Sequence, residues 1–143
     1  MELRTDKIRA CFDRKIGNFT ELWNLSTNTN YVRCAPRDPL IELYGLKNGE
    51  RVKLSGHISD VAEAPDALIL SYDSFGEYDI SAKVTCRCEQ DRLVFSAEIC
   101  NHSTIDVTEI LMPHLGGIYL GNGQKDYLIY PHHAGDKTED PVY

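Results

Sequence analysis

Residues 80–101 alternate in character. Ile80, Ala82, Val84, Cys86 and Cys88 take every second position, and Ser81, Lys83, Thr85, Arg87 and Glu89 fill the places between. Side chains of an extended chain point to opposite faces in turn, so this period of two puts one apolar face on a core and one polar face in water. After a polar turn at Gln90 and Asp91, the pattern resumes with Leu93, Phe95, Ala97 and Ile99. The pair predicts an antiparallel hairpin of two long strands.

The same test finds further strands. "KIRACFD" alternates, turns at Gly17-Asn18, and returns as "FTELWN". "LIELYGL" and "RVKLSG" flank Asn48-Gly49, a pair that accepts the positive φ angles of a type I′ turn. "ALILSYDS", "DVTEILM", "GGIYLG" and "DYLIYP" complete the set, the last two joined across Asn122-Gly123. About nine short strands with frequent turns, and no helical pattern of three turns, predict an all-β antiparallel sandwich. Residues 1–143 read as one domain without an internal repeat. The segment "CAPRDPLIE" reads as a crossing between strands, because Pro36 and Pro39 have no N–H for a ladder.

A chain of 143 residues is long enough to bury a core without metal or disulfide staples. Its net charge of −7 argues against a nucleic-acid partner, which needs a cationic face. No apolar run reaches the roughly 20 residues of a membrane helix. The opening "MELRTDKIRA" lacks the apolar centre of a secretory signal, so a cytoplasmic location is expected. The five cysteines are then expected to be reduced thiols. Asn18, Asn24 and Asn101 each begin an Asn-x-Ser/Thr triplet, read as chance in a chain without that signal.

Candidate sites are few. Cys86-x-Cys88 places two thiols on one strand face, but a structural zinc site needs a second pair, and both cysteines fall on the apolar face; core packing is expected, and no metal. In "YPHHAGDK", His132 and His133 with Asp136 carry metal-ligating groups, yet adjacent residues of an extended chain point apart. No nucleophile, phosphate-loop or metalloprotease motif is present, so no catalytic residue and no cofactor are assigned. Polar-tipped rings do gather late in the chain: Tyr119, Tyr127, Tyr130 and Tyr143, beside His114, His132 and His133. Such side chains stack on sugar rings and reach hydroxyls, and they equally line interfaces between domains. Both readings stand at this point for His114, Tyr119, Tyr127, Tyr130, His132, His133 and Asp136.

The order of elements resembles the N-terminal β-sandwich of large bacterial glycoside hydrolases, of the galactose-mutarotase-like supersandwich kind. Ile8, Phe12, Gly17, Leu22, Trp23 and Asn24 carry the first hairpin of that resemblance. Asn101, Val107, Glu109, Pro113, Gly117, Leu120, Gly121, Asp126, Leu128, Tyr130, Pro131 and Gly135 carry its later part. The resemblance implies a non-catalytic domain that supports or lines a carbohydrate site completed by a C-terminal catalytic barrel. Residues 1–143 contain no barrel and read as the N-terminal fragment of a longer carbohydrate-active enzyme. The histidine pair and glutamate of mutarotase turnover have no residue-by-residue match here. Two other readings remain: a free-standing carbohydrate-binding module, and a small sugar epimerase using His132 or His133 as acid/base.

The tail "DYLIYPHHAGDKTEDPVY" holds more apolar surface than a free tail carries, with Leu128, Ile129, Tyr130 and Val142. A homodimer is therefore expected, with Tyr119, Tyr127 or Tyr130 at the contact. Light scattering over a concentration series checks this, and truncation at Gly123 should return the chain to a monomer. A strict monomer with a protease-resistant tail would reverse the expectation.

Overall fold

The computed structural model describes residues 1–34, 36–118, 127–130 and 136–139. The chain is all-β, and among the described residues there is no helix. Strands β1 (Glu2–Arg4), β2 (Ile8–Phe12), β3 (Phe19–Asn24) and β4 (Thr29–Asn30) form a first sheet in that order. A hairpin follows, of β5 (Glu42–Lys47) and β6 (Glu50–Leu54). Strands β7 (Asp60–Glu63), β8 (Ala67–Tyr72), β9 (Ile80–Glu89) and β10 (Arg92–Asn101) form a second sheet, ordered β10-β9-β8-β7. The chain then crosses back, and β11 (Asp106–Leu111) pairs with β5 to complete a third sheet, β11-β5-β6. β12 (Tyr127–Tyr130) and β13 (Asp136–Glu139) pair with each other.

The long hairpin lies where the alternation puts it, with Glu89 opposite Arg92 and Ile80 opposite Asn101. Gln90 takes a φ of 55° in its turn. Asn48 and Gly49 have φ values of 55° and 83°, the two positive angles of a type I′ turn. In β9 the apolar positions Ile80, Ala82, Val84 and Cys86 are buried, while Lys83 and Arg87 are exposed. Cys88, with Leu93, Phe95, Ala97 and Ile99 of β10 (opposite Cys88, Cys86, Val84 and Ala82), is partly buried against the same core. The sequence reading misses β1, β4, β7 and β13. The first two are only three and two residues long. β7 is an edge strand held by backbone pairing to β8, with Asp60, Ala62 and Glu63 exposed, so it has no apolar face to betray it. "YPHHAGDK", read as a loop, ends inside β13: Asp136 lies opposite Tyr130. The expected turn at Asn122-Gly123, and all of "GGIYLG" after Ile118, lie outside the described residues.

All three large sheets feed one core. The first gives Leu3, Ala10, Phe12 and Phe19, the third Leu43 and Leu54, and the second Leu68, Leu70 and Tyr72 with the β9 face. Rings pack within and between the layers: Phe12 meets Phe19 at 4.8 Å across the first sheet, and Phe19 meets Phe95 of the second sheet edge-on at 6.1 Å. Each such side chain contributes roughly 1.5–3 kcal/mol by leaving water.

One polar side chain lies fully inside this core. Asn18 is 0% exposed. Its Nδ2 donates to the carbonyls of Asp38, at 2.9 Å, and His114, at 2.8 Å, and its Oδ1 accepts from the Phe19 N–H. The turn that delivers it is closed by Asp13, whose Oδ1 accepts from the N–H groups of Lys15 and Ile16. Gly17 supplies the positive φ of 71° the turn requires. Asn24 and Asn101 act alike at the surface. Asn24 Oδ1 accepts from the N–H groups of Ser26 and Thr27, and Asn101 bonds Ser103 and the Ile105 carbonyl. The three triplet asparagines are thus turn and crossing fasteners.

Replacing Asn18 tests the point. Asn18→Ala strands two buried carbonyls and an N–H, at about 1–3 kcal/mol for each unsatisfied group, so a loss of at least about 2 kcal/mol is expected in urea denaturation. Asn18→Asp should cost more at neutral pH, because it turns a double donor into an acceptor facing two carbonyls. Equal stability of Asn18→Asp and the wild type would remove Asn18 from this role.

Candidate functional site

Of the residues singled out from the sequence, His114 has a described side chain. Tyr127 and Tyr130 lie at the two ends of β12, and Asp136 opens β13 opposite Tyr130. Tyr119, His132 and His133 lie outside the described residues. His114 follows β11, donates its N–H to the Leu40 carbonyl at 2.8 Å, and brings its imidazole against Glu42.

Glu42 is a carboxylate that sequence reasoning left among 22 acidic residues. It is 3% exposed. Lys53 Nζ donates to Glu42 Oε1, and the Tyr44 hydroxyl donates to Oε2 at 3.0 Å. His114 Nδ1 lies 3.4 Å from Oε1, close enough for an ion pair but not aligned for a hydrogen bond, and it has no bonded partner. Burial pushes the Glu42 carboxyl up, but Lys53, Tyr44 and His114 together outweigh it and hold the group below its ordinary value. The Lys53 ammonium is raised, mainly by its hydrogen bond to Glu42. The turn could have found this pair. A two-residue loop at Asn48-Gly49 sets Tyr44 opposite Lys53, which puts Lys53 diagonally beside Glu42.

A groove of about 560 Å³ lies elsewhere, between the first sheet and β10. Ile8, Phe19, Leu22, Leu93, Phe95 and Leu115 give it apolar walls. Tyr31 adds aromatic surface, and Lys7, Asn24, Ser26, Asp91 and Arg92 add polar groups; Trp23 borders the groove through its place in β3, with its side chain on the other strand face from Leu22 and Asn24. Lys7 and Asp91 approach to 3.8 Å, linking the start of β2 to the β9–β10 turn. The aromatic groups are held in place. Trp23 Nε1 donates to Glu21 Oε2 at 2.8 Å, and the Arg9 guanidinium donates to the same oxygen at 2.7 Å. Tyr31 receives a 3.5 Å hydrogen bond from Asn24 Nδ2, and its N–H donates to the Leu22 carbonyl. An apolar concavity with a few fixed polar groups is the usual build of a small-molecule site.

The cysteines offer no comparable arrangement. Burial raises the Cys86 thiol to about 12, so it stays protonated and unreactive at neutral pH. Among the described residues no three His, Cys, Asp or Glu side chains are grouped to hold a metal ion. Comparison with protein-family models, with curated proteins and with solved structures found no match to this chain.

The buried carboxylate sets an acid limb of stability. Because the folded Glu42 carboxyl titrates lower than in the unfolded chain, its contribution is complete above the unfolded value and fades as pH falls through the folded one. Glu42→Gln should therefore lose stability less steeply than the wild type between about pH 5 and pH 2. Urea midpoints across that range measure it, and parallel curves would deny Glu42 a share in acid unfolding.

Proposed function

We propose that this chain is a non-catalytic, carbohydrate-recognising β-sandwich domain, working beside a catalytic domain of the glycoside hydrolase kind, with the groove between the first sheet and β10 as its sugar site. The observation that carries this reading is the gathering of Tyr31, Asn24, Ser26 and Arg92 around one apolar concavity. A sugar has apolar C–H faces and a rim of hydroxyls. An aromatic ring suits the first, and an amide, a hydroxyl and a guanidinium suit the second. The resemblance to the galactose-mutarotase-like supersandwich supplies the class of ligand and the catalytic companion.

The epimerase reading draws no support from the acid/base groups that are described. Both oxygens of Glu42 are engaged, and the group is 3% exposed, so a substrate has no path to a free carboxylate there.

Trp23 is the single tryptophan of the chain and belongs to β3, which borders the groove, so its fluorescence is a reporter close to the site. Titration with neutral mono- and oligosaccharides should shift that emission in a saturable way. Tyr31→Ala, which keeps the reporter, should weaken binding about tenfold, equivalent to ~1.4 kcal/mol. Flat fluorescence and no calorimetric heat across neutral hexoses and their oligomers would overturn the reading.

A further inference from the structure

A second cavity, of about 230 Å³, opens where the crossing before β5 meets the end of β6. Its charged lining runs against the character of the chain. The protein carries 15 Lys and Arg against 22 Asp and Glu, yet here Lys15, Arg37 and Lys53 face only Asp38 and Glu42. Lys53 and Glu42 are paired with each other. What an incoming ligand meets is therefore Lys15 and Arg37 with the single carboxylate of Asp38. Neither Lys15 nor Arg37 has an ion-pair partner among the described residues, and both are exposed at the rim.

The wall holds a second anomaly. Tyr72 is 1% exposed, and its hydroxyl has no hydrogen-bond partner among the described residues. A buried hydroxyl left unpaired costs about 1–3 kcal/mol, and native proteins leave few of them. Tyr72 forms part of the same lining as Lys15, Arg37 and Ser55, although its hydroxyl is closed off from the open space. Two cations without ion-pair partners and a serine hydroxyl around one small space suit an acceptor-rich anion.

We propose that this cavity is a binding site for a small ligand bearing one oxyanion group, a phosphate or a carboxylate. Lys15 and Arg37 supply the charge, and Ser55 a hydroxyl donor at the mouth. The inference rests on this cavity and is independent of the groove that faces β10. Its chemistry differs too: the groove is read with neutral sugars, the cavity with anions.

Inorganic phosphate and acetate are the probes, each titrated at constant ionic strength and followed by backbone amide shifts at Lys15, Gly56 and His57. Saturable shifts at these amides with either anion are expected, and the tighter of the two names the group. Chloride at equal strength should leave them unmoved. The Lys15→Ala/Arg37→Ala double variant, changed only at exposed positions, should lose at least tenfold in affinity. Ser55→Ala, also at an exposed position, should weaken the anion while leaving the stability of the free protein unchanged. Linear, non-saturating shifts with both anions would overturn the proposal, as would affinity unchanged in both variants.

Discussion

The fold turns on the side-chain amide of Asn18. Its two N–H groups reach carbonyls 20 and 96 residues further along the chain, so one buried amide joins the first hairpin, the crossing at Asp38 and the segment after β11. The first hairpin closes its own turn, with the Asp13 N–H donating to the Asn18 carbonyl, but the other two segments lie outside any strand at this point. The crossing contains Pro36 and Pro39 and lies outside any strand, and its carbonyls need donors that no ladder provides. An apolar residue at position 18 would fill the space and still leave those acceptors bare. That asymmetry is why a polar side chain stands at the centre of an otherwise apolar core.

The parts of the fold that sequence made legible are those where local chemistry and tertiary environment agree. The ten-residue strands β9 and β10 keep one face on the core along their length, so burial is written in alternate letters. Asn48-Gly49 is legible because the turn type demands those residues. Edge strand β7 is not, since it is secured through backbone bonds that any residue can make. The candidate site divided in the same way. His114 was picked out as an aromatic-rich neighbour of the tail, but its partner Glu42 lies 72 positions away across a sheet pairing. Asn18 was visible only as the first letter of a triplet. Its role depends on two distant carbonyls, and carbonyls carry no sequence signature.

Glu42 extends the same logic from a neutral group to a charge. A carboxylate at 3% exposure is costly unless paired, and Lys53 and the Tyr44 hydroxyl, with His114 close by, answer it from β6, β5 and the segment after β11. Such a pair adds little net stability over an apolar replacement, but it punishes any other register of the β5–β6 hairpin. A slip of one residue would carry Lys53 to the opposite face and leave Glu42 alone. Asn48-Gly49 fixes the register from the turn, and Glu42–Lys53 checks it from the far end.

These two buried polar centres also explain why the two openings of the molecule differ. The groove beside β10 lies where sheet meets sheet, so its walls are core side chains left uncovered, and its polar groups are confined to strand ends and turns. The smaller cavity lies where the crossing meets β6, beside the polar centres themselves. Pro36 and Pro39 keep the crossing from pairing as a strand, and Asn18 pins it at Asp38; Arg37 and Asp38 therefore project into the cavity instead of alternating across a sheet. Lys53 reaches the same space because Glu42 draws it inward. The cavity's charge is thus a consequence of how the fold solves its own buried-polar problem. An anion entering there would meet Lys15 and Arg37, the two cations of the lining that take no part in that solution.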